Sequence, residues 1–445
     1  MSKTIKGLTY LLVFIAVMNL MLCATASSLI SIPKIWSVGA VFAFILVSLN
    51  LFYYLFLMVS ALFYRPGTPL DDDALPEITV IVPAYNEGRD VSKTIDSLMN
   101  GNFPKDKLHI IAIDDGSTDD TWAWIQLSAK KYPNNLTPVK HPENRGKRRA
   151  LHTGFGMAST EVVVTADSDS IVTAGALRAL VSHFTDQKIG GVAGNLRVAN
   201  LNDTLPQLLD VNFVFAFDLI RSSQSVFRCV FCTPGALSAY RRSAIMPFID
   251  SWANETFAGA PAGIGEDRAL ASGLLGSGYN VVFERNAVSY TKIPADYRNV
   301  CRMFLRWSRG DLRETMKMYG YVFNRLSFQR AVMVFNMLMQ SIWVFSAFLW
   351  VAGFAIMAVV NPVLLTGFFN ASILIWASVP AIVYALRRGG AVWAFSYAIF
   401  YMTFMFWLVP YSVLTIRNSK WLTRGNDSEG EAEEGVSAVN GAARS

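Results

Sequence analysis

Four long stretches without a charged side chain constrain this 445-residue chain more than any other feature. They cover residues 7–33, 35–64, 331–386 and 391–415, and none of them contains Asp, Glu, Lys or Arg. Each is long enough to cross the ~30 Å hydrocarbon layer of a membrane, and the third can cross it twice with a turn at 361–362. The sequence therefore predicts a membrane protein whose five apolar segments bracket a polar insert.

Positive residues beside the apolar segments predict how the chain is oriented. Arg65 follows the second segment, so the polar insert is expected in the cytoplasm, and the arginines at 325, 330, 387 and 388 agree. The first segment also resembles a cleavable signal peptide, with a basic start and small residues at 24–26. A single crossing by 391–415 would put later positive residues outside. We therefore expect this segment to be re-entrant, interfacial or a tight double crossing; alternatively, part of 331–360 does not span.

The overall composition excludes several other classes of protein. Hydrophobic residues make up 53% of the chain and charged residues 16%, which excludes disorder of the whole chain. The net charge of +6 is better explained by cytoplasmic loops than by nucleic acid, so no nucleic-acid partner is expected. Four cysteines are too few for a disulfide scaffold, and Cys229-x-x-Cys232 has no second pair that would indicate zinc. The acidic tail 425–445 is expected to be disordered.

The polar insert, 66–330, is predicted to be an α/β unit with a parallel sheet. The β-branched runs 78–82, 109–113 and 162–166 are each followed by a polar turn and a helical pattern. Ligands bind beyond the carboxyl ends of the strands in such sheets. The residues that follow these three runs are therefore the first place to look for chemistry.

Carboxylates and small polar side chains follow all three runs. Asp114 or Asp115 can accept hydrogen bonds from a uracil or ribose, and Asp167 and Asp169 can face one Mg²⁺ or Mn²⁺. The basic run 146–149 supplies positive charge for a diphosphate. Each motif alone is equally or better explained as a turn, a helix cap or a solvated loop. Three polar strand ends in succession favour a nucleotide-sugar site instead.

Two further patterns lie later in the insert. Glu266 and Asp267 precede a helical run, where a carboxylate can serve as general base or simply begin the helix. Residues 300–317 predict a basic amphipathic helix for a membrane surface, with Val300, Met303, Phe304 and Trp307 opposite five basic residues. Trp307 could equally be an interface anchor without a catalytic role.

The order of eight motifs resembles the processive, membrane-embedded family 2 glycosyltransferases. The resemblance covers roughly 75–320 and returns at 421–424, and within the family it is strongest to hyaluronan synthases and rhizobial chitooligosaccharide synthases. The motifs are Pro83-x-Tyr-Asn-Glu87, Asp114-Asp-Gly-Ser117, Gly146-Lys-Arg148, Asp167-x-Asp169, Pro234-Gly235 to Tyr240-Arg241, Glu266-Asp267-Arg268, Arg306-Trp307 and Trp421-x-Thr-Arg424.

The resemblance implies a role for each matching residue. Asp267 would be the catalytic base beside Glu266, and Asp169, supported by Asp167, would hold Mg²⁺ or Mn²⁺. Arg306 and Trp307 would hold the diphosphate and the acceptor sugar. The remaining roles would be nucleotide-sugar binding by Tyr85, Glu87, Asp115, Lys147 and Arg148, an acceptor channel lined by Cys232, Pro234 and Gly235, and a gating loop of Trp421, Thr423 and Arg424.

The implied architecture is a glycosyltransferase A-type, Rossmann-like domain between transmembrane helices. We expect two N-terminal helices in 7–64, the cytoplasmic domain in 66–298, interface helices in 299–330, a transmembrane or re-entrant region in 331–416 and the gating segment in 417–424. The implied activity is an inverting polymerase that uses UDP-sugars and secretes its polysaccharide across the plasma (inner) membrane; the sequence does not require an accessory subunit. Hyaluronan is the leading product. The alternatives are a chitin, chitooligosaccharide or poly-N-acetylglucosamine synthase and a non-processive lipid-carrier transferase.

Two positions depart from the family pattern. Met303 stands where the family motif has Gln, which removes a polar group close to the donor or acceptor. Leu422 replaces the glycine of the usual Trp-Gly-Thr-Arg, which is expected to stiffen that loop. Neither change removes a charged group from the predicted site.

Overall fold

The computed structural model describes residues 34–323, 327–360 and 362–418. The first apolar segment, 7–33, lies outside the described residues. So do the predicted gating residues Trp421, Thr423 and Arg424, and the acidic tail 425–445.

An eight-stranded sheet forms the centre of the insert, and a short hairpin lies apart from it. The spatial order of the large sheet is β3-β2-β1-β4-β7-β6-β10-β5, and β8 pairs with β9. The strands are β1 Ile78–Ala84, β2 Leu108–Asp114, β3 Leu136–Lys140, β4 Val162–Thr165, β5 Ser170–Val172, β6 Ile189–Val198, β7 Ser238–Arg241, β8 Thr256–Phe257, β9 Ala260–Pro261 and β10 Asn280–Thr291.

The sheet is mixed, so the prediction of a parallel sheet is right for one half only. β3, β2, β1 and β4 are parallel, as the sequence predicts. β7 then enters between β4 and β6 and is antiparallel to both, and β5 is antiparallel to β10. β7 has four residues and follows an irregular stretch, so it carries no periodic signal from which its direction could be read.

Helices cover both faces of the sheet and continue into the apolar regions. Short 3-10 helices occupy Asp72–Ala74, Lys105–Lys107, Ser182–Thr185 and Met246–Phe248. The α-helices are α1 Lys34–Leu62, α2 Asp90–Met99, α3 Thr121–Lys131, α4 Lys147–Met157, α5 Ala176–Val181, α6 Thr204–Val214, α7 Ser222–Val226, α8 Arg242–Ile245, α9 Ile249–Ala253, α10 Glu266–Gly276, α11 Tyr297–Val322, α12 Phe328–Val360, α13 Pro362–Arg387, α14 Val392–Phe400 and α15 Leu408–Leu414.

The core lies in two layers, one on each face of the sheet. All seven residues of β1 are buried, which is why this strand reads as a continuous apolar run instead of an alternating one. Val80 and Val82 point into one hydrophobic cluster and Ile81 into the other. α2 packs on the first face through Val91 and Ile95, four positions apart on one helix face.

The described residues include two helices that are long and apolar enough to cross a membrane. They are the span 45–62 within α1 and the span 328–356 within α12. A third candidate is the bent pair Val392–Met405 and Leu408–Leu414, whose two parts meet at 43°. A π-helix over Tyr401–Met405 lies just before this bend. This geometry is that of a broken span or a re-entrant segment, of which only the re-entrant segment is among the arrangements expected for 391–415.

Helix α11 differs from the expected surface helix because two of its arginines are buried. Arg309 and Arg313 are each 2% exposed. Arg309 donates to the Thr415 hydroxyl at 2.8 Å, and Arg313 Nε donates to the Ile416 carbonyl at 2.8 Å. The Arg313 guanidinium also lies over the Phe257 ring. The chain after α15 covers this side of α11, a contact between distant segments that the helical period does not predict.

Two buried aspartates join the insert to the end of helix α13. Asp210, in α6, is fully buried, accepts a hydrogen bond from the Tyr384 hydroxyl at 3.2 Å and lies 3.3 Å from Arg388 Nε. Asp218, in the π-helical turn that follows α6, lies 3.9 Å from Arg387 Nε. The arginines predicted to mark a cytoplasmic boundary thus contact the insert directly.

Candidate active site

The loops that follow β1 and β2 are bonded to each other, which places the first two predicted motifs side by side. Asn86 has a positive φ of 52°, and its backbone N–H donates to the Ser117 hydroxyl at 3.0 Å. Its side-chain carbonyl accepts from the Thr118 backbone N–H at 2.9 Å. The predicted uridine contacts Tyr85 and Glu87 flank this crossing and are partly exposed.

Asp114 and Asp115 have different surroundings at the end of β2. Asp114 is fully buried and accepts from the Ser117 backbone N–H at 3.0 Å, so it shapes the turn. Asp115 Oδ1 lies 2.7 Å from Nδ1 of His141 and accepts from the Arg145 backbone N–H. Asp115, the predicted nucleoside contact, therefore has a carboxylate whose direction is set by His141.

Lys147 links the end of β4 to the start of α10. Its ammonium lies 2.5 Å from Oδ1 of Asp167 and 3.1 Å from Oε1 of Glu266. Burial alone would lower the pKa of Lys147, but the charges of Asp167 and Glu266 outweigh it and raise the pKa above its ordinary value. Lys147 is therefore a fixed positive charge at the centre of the site.

Gly235 forms the wall behind this ion pair. A Cβ atom at Gly235 would lie 2.5 Å from Lys147 Nζ and 3.1 and 3.2 Å from the two carboxylate oxygens of Asp167. Only a residue without a side chain leaves room there for a cation and a carboxylate together. Pro234 and Gly235 reach this position because β7, which follows them, pairs directly with β4.

The residues at the end of β4 are suited to a divalent cation shared with a ligand. Asp167 already pairs with a cationic group, Asp169 follows two residues later and is partly exposed, and Gly235 leaves room for a cation beside Asp167. Within the described ranges, no three His, Cys, Asp or Glu side chains are grouped closely enough to hold a metal. The donor set therefore suits Mg²⁺ or Mn²⁺ completed by phosphate oxygens and water.

Asp267 begins helix α10 beside Cys232. Asp267 Oδ1 accepts from the backbone N–H of Arg268 at 2.8 Å, and the Cys232 thiol donates to Oδ2 at 3.6 Å. Burial and then the negative charge of Glu266 raise the pKa of Asp267 to about 6. A carboxyl group with that pKa can accept a proton from a hydroxyl and release it near neutral pH.

The pKa of Glu266 is shifted in the opposite direction from that of Asp267. Burial alone would raise the pKa of Glu266, but Lys147 first and then Arg306 outweigh it, and the pKa lies below its ordinary value. Trp307 packs edge-on against Phe213 with ring centroids 5.9 Å apart. Lys147 and Arg306, which belong to two separate predicted motifs, thus both lower the pKa of the Glu266 carboxyl group.

Arg148 is turned away from the ion pair of Lys147. Its Nη1 donates to the Trp252 carbonyl at 2.6 Å and also bonds to the Glu255 carboxylate, and the side chain is 6% exposed. Adjacent helical positions point about 100° apart, so Lys147 and Arg148 do not share a face. The structure therefore brings Lys147 to the centre of the site and places Arg148 in a buried contact with α9.

Several residues at the site carry no distinctive sequence signal. His141 contacts Asp115, but a single histidine at the end of a strand predicts nothing by itself. Glu314 is 4% exposed and bonded to Lys317, and burial raises its pKa to about 7. Lys317 also pairs with Glu255. The sequence shows that Glu314 and Lys317 are three positions apart, but it does not show that Glu314 is buried.

Comparison with known proteins agrees with the motifs. Residues 79–247 match the Glycosyl transferase family 2. The chain is 32% identical over 250 residues to an N-acetylglucosaminyltransferase of Rhizobium meliloti (strain 1021), covering 56% of this chain and 58% of the relative. It is 29% identical over 264 residues to a hyaluronan synthase of Streptococcus pyogenes serotype M3, covering 57% and 61%. These alignments span somewhat more than half the length of either relative.

A solved structure shares the fold. It is the mannosyltransferase PcManGT from Pyrobaculum calidifontis in complex with GDP-Man and Mn²⁺, at a TM-score of 0.59 and 20% identity, covering 82% of this chain and 96% of that one. The likeness confirms the prediction of a glycosyltransferase A-type α/β fold beside apolar helices. The matched family model and the similar relatives indicate a family 2 glycosyltransferase domain over residues 79–247.

Proposed function

We propose that this chain is a processive, inverting polysaccharide synthase that builds a β-linked polymer from UDP-sugars at the cytoplasmic face of the plasma membrane. One observation carries the proposal. The Asp267 carboxylate, with its raised pKa, stands beside the Lys147 ammonium and the Asp167 carboxylate, and this insert is joined to an apolar helix through Asp210 and Arg388. A base, a diphosphate-binding cation and a membrane attachment are thus combined in one chain.

The residues divide the work of one displacement between them. Asp267 accepts the proton of the acceptor hydroxyl, and that oxygen attacks C1 of the donor sugar as the bond from C1 to the diphosphate breaks. Lys147 offsets the negative charge that develops on the departing diphosphate. A Mg²⁺ or Mn²⁺ ion held by Asp169 and Asp167 would neutralise the same phosphate oxygens. Asp115, directed by His141, would contact the uridine.

The acceptor would approach from the side of Cys232 and Trp307. Cys232 lies against the base, and Trp307 offers a ring on which a sugar can stack. Such a site next to membrane helices would feed the polymer into a channel formed by the same chain. Hyaluronan is the leading proposed product and a chitin-like polymer the alternative, because the chain is similar both to a hyaluronan synthase and to N-acetylglucosaminyltransferases.

The test is polymer synthesis by the purified full chain in detergent. Labelled UDP-GlcNAc, UDP-GlcA or both would be offered with Mn²⁺ or Mg²⁺. Polymer that forms only with both donors and is digested by hyaluronidase supports hyaluronan, whereas polymer from UDP-GlcNAc alone supports a chitin-like product. Labelled product that extracts into organic solvent would instead support the lipid-carrier transferase.

The role of Asp267 is tested in the same assay. Asp267→Asn should lower synthesis by about 10²- to 10⁴-fold, the usual contribution of a general base, while UDP binding is retained. The matched control is Asp250→Asn, which makes the same change at a carboxylate whose side chain is 86% exposed on α9. Unchanged synthesis by Asp267→Asn would remove Asp267 from the base role.

A further inference from the structure

Lys147 occupies the position at which a cation would bind Asp167. Its Nζ lies 2.5 Å from Oδ1 of Asp167, and the Lys147 side chain is 20% exposed. The second contact, 3.1 Å to Oε1 of Glu266, fixes the ammonium from the opposite side. Because these carboxylates come from the end of β4 and the start of α10, the lysine closes the gap between two segments that are distant in the sequence.

A metal ion at Asp167 would compete with this ammonium for the charge of one carboxylate. Lys147 Nζ lies 2.5 Å from Oδ1 of Asp167, and Mg²⁺ binds carboxylate oxygens at about 2.0–2.1 Å, so a metal ion on either oxygen would be close to the ammonium and repelled by it. Gly235 lies on the same side, where a Cβ atom would be only 2.5 Å from Nζ. Binding of a metal at Asp167 is therefore weakened while Lys147 keeps its present partners.

We propose that Lys147 is an internal counter-ion that weakens binding of the divalent cation at Asp167 until the diphosphate of the donor draws the lysine away. The inference rests on the proposed function, because it assumes that a nucleotide diphosphate binds beside Asp167. It adds an order of events to that function. The cation alone binds weakly, the diphosphate gives Lys147 a new anionic partner, and the cation and the nucleotide then strengthen each other's binding.

The proposal predicts an unusual gain of affinity when a binding residue is removed. In Lys147→Met, Asp167 and Glu266 lose their counter-ion, so the carboxylate is open to Mn²⁺ without nucleotide. We expect Mn²⁺ to bind this variant at least tenfold more tightly than the wild type when UDP is absent. We also expect UDP to strengthen Mn²⁺ binding less in the variant than in the wild type, because the lysine that couples the two ligands is gone.

The measurement is a titration of the purified full chain in detergent with Mn²⁺. Free Mn²⁺ is read from its electron paramagnetic resonance signal, with and without saturating UDP, so no turnover is needed. Lys147→Arg keeps the positive charge and should retain weak Mn²⁺ binding without UDP. Lys130→Met removes one charge from an exposed position near the end of α3 and should leave the wild-type affinities unchanged. Circular dichroism of each variant checks that it is folded.

The outcomes separate this inference from the proposed function. Tighter Mn²⁺ binding by Lys147→Met without UDP, with Lys147→Arg close to the wild type, supports the counter-ion. Equal or weaker binding by Lys147→Met, in a protein that still binds Mn²⁺ with UDP, overturns the counter-ion and leaves the donor site in place. A wild type that binds no Mn²⁺ even with UDP overturns both.

Discussion

Substitution of Gly265 by alanine should displace the carboxylates of Glu266 and Asp267, although Gly265 has no side chain in the proposed site. Gly265 precedes α10 with φ of +80°, and a Cβ there would lie 3.0 Å from Cα of Gly310 in α11. In Gly265→Ala, the left-handed conformation costs about 1–2 kcal/mol for a residue with a side chain. In addition, α11 must move away by a few tenths of an ångström. That movement separates Glu266, which follows the glycine, from Arg306 on α11 and shifts Asp267 with it.

Both effects have a measurable size. At about 2–4 °C per kcal/mol for a domain of this size, the conformational cost alone lowers the thermal midpoint of Gly265→Ala by about 2–8 °C. The displacement of Asp267 by a few tenths of an ångström should lower polymer synthesis about 3- to 10-fold, because misplacement by ~1 Å costs about 10²-fold. The midpoint is measured by scanning fluorimetry in detergent, and synthesis by label incorporation at a temperature where all variants are folded.

Gly278 supplies the matched control. It has φ of +88°, it closes the other end of the same helix, and a Cβ there would meet nothing within 4 Å. Gly278→Ala should therefore lose the same 1–2 kcal/mol without a change in synthesis. If the two variants have equal midpoints and equal rates, the contact between Gly265 and Gly310 does not position the base, and the reasoning fails.

Two further predictions concern charge. The ratio kcat/KM for the donor should rise about tenfold per pH unit below about pH 6 and level off above it. The reason is that Asp267 must lose its proton to act as a base, and its pKa is about 6. A flat profile of kcat/KM between pH 5 and 7 would contradict this. Asp210→Asn should destabilise the protein by about 1.5–3 kcal/mol through the weakened bonds to Tyr384 and Arg388, seen as a lower thermal midpoint. Asp203→Asn, at an exposed position just before α6, is its control and should leave the midpoint unchanged.

The sequence predicts the parallel half of the sheet well because its signals are local. β1, β2 and β4 are apolar runs that end in polar turns, and the parallel order places Asp115 and Asp167 at one edge of the sheet. Lys147 and Glu266 were also identified from motifs. Their mutual contact was not, because 119 positions separate them (266 − 147) and no period connects them. Distances between such residues depend on how the sheet is assembled.

The surroundings of three buried arginines also depend on contacts between segments that are distant in the sequence. Arg309 and Arg313 sit on the polar side of a helical pattern, but that side is covered by residues 415–418, far along the chain. Arg148 is a residue type that often binds phosphate, but its guanidinium is bonded to the Glu255 carboxylate. Charge and helical period tell which way a side chain points along its own element. They do not predict which other element packs against that side chain.

β7 lies between β4 and β6 in the sheet but is made after both of them. This order determines when the newly synthesised chain can first become active. The strands β1, β2 and β4 are complete once residue 165 has been made, and they can pair while the ribosome is still extending the chain. The second partner strand of β4, β7, ends 76 residues later (241 − 165), and the proposed base at 267 follows after that. A nascent chain therefore completes the proposed nucleotide-binding half first and the proposed acceptor half later. Sugar transfer cannot begin before the whole insert has left the ribosome.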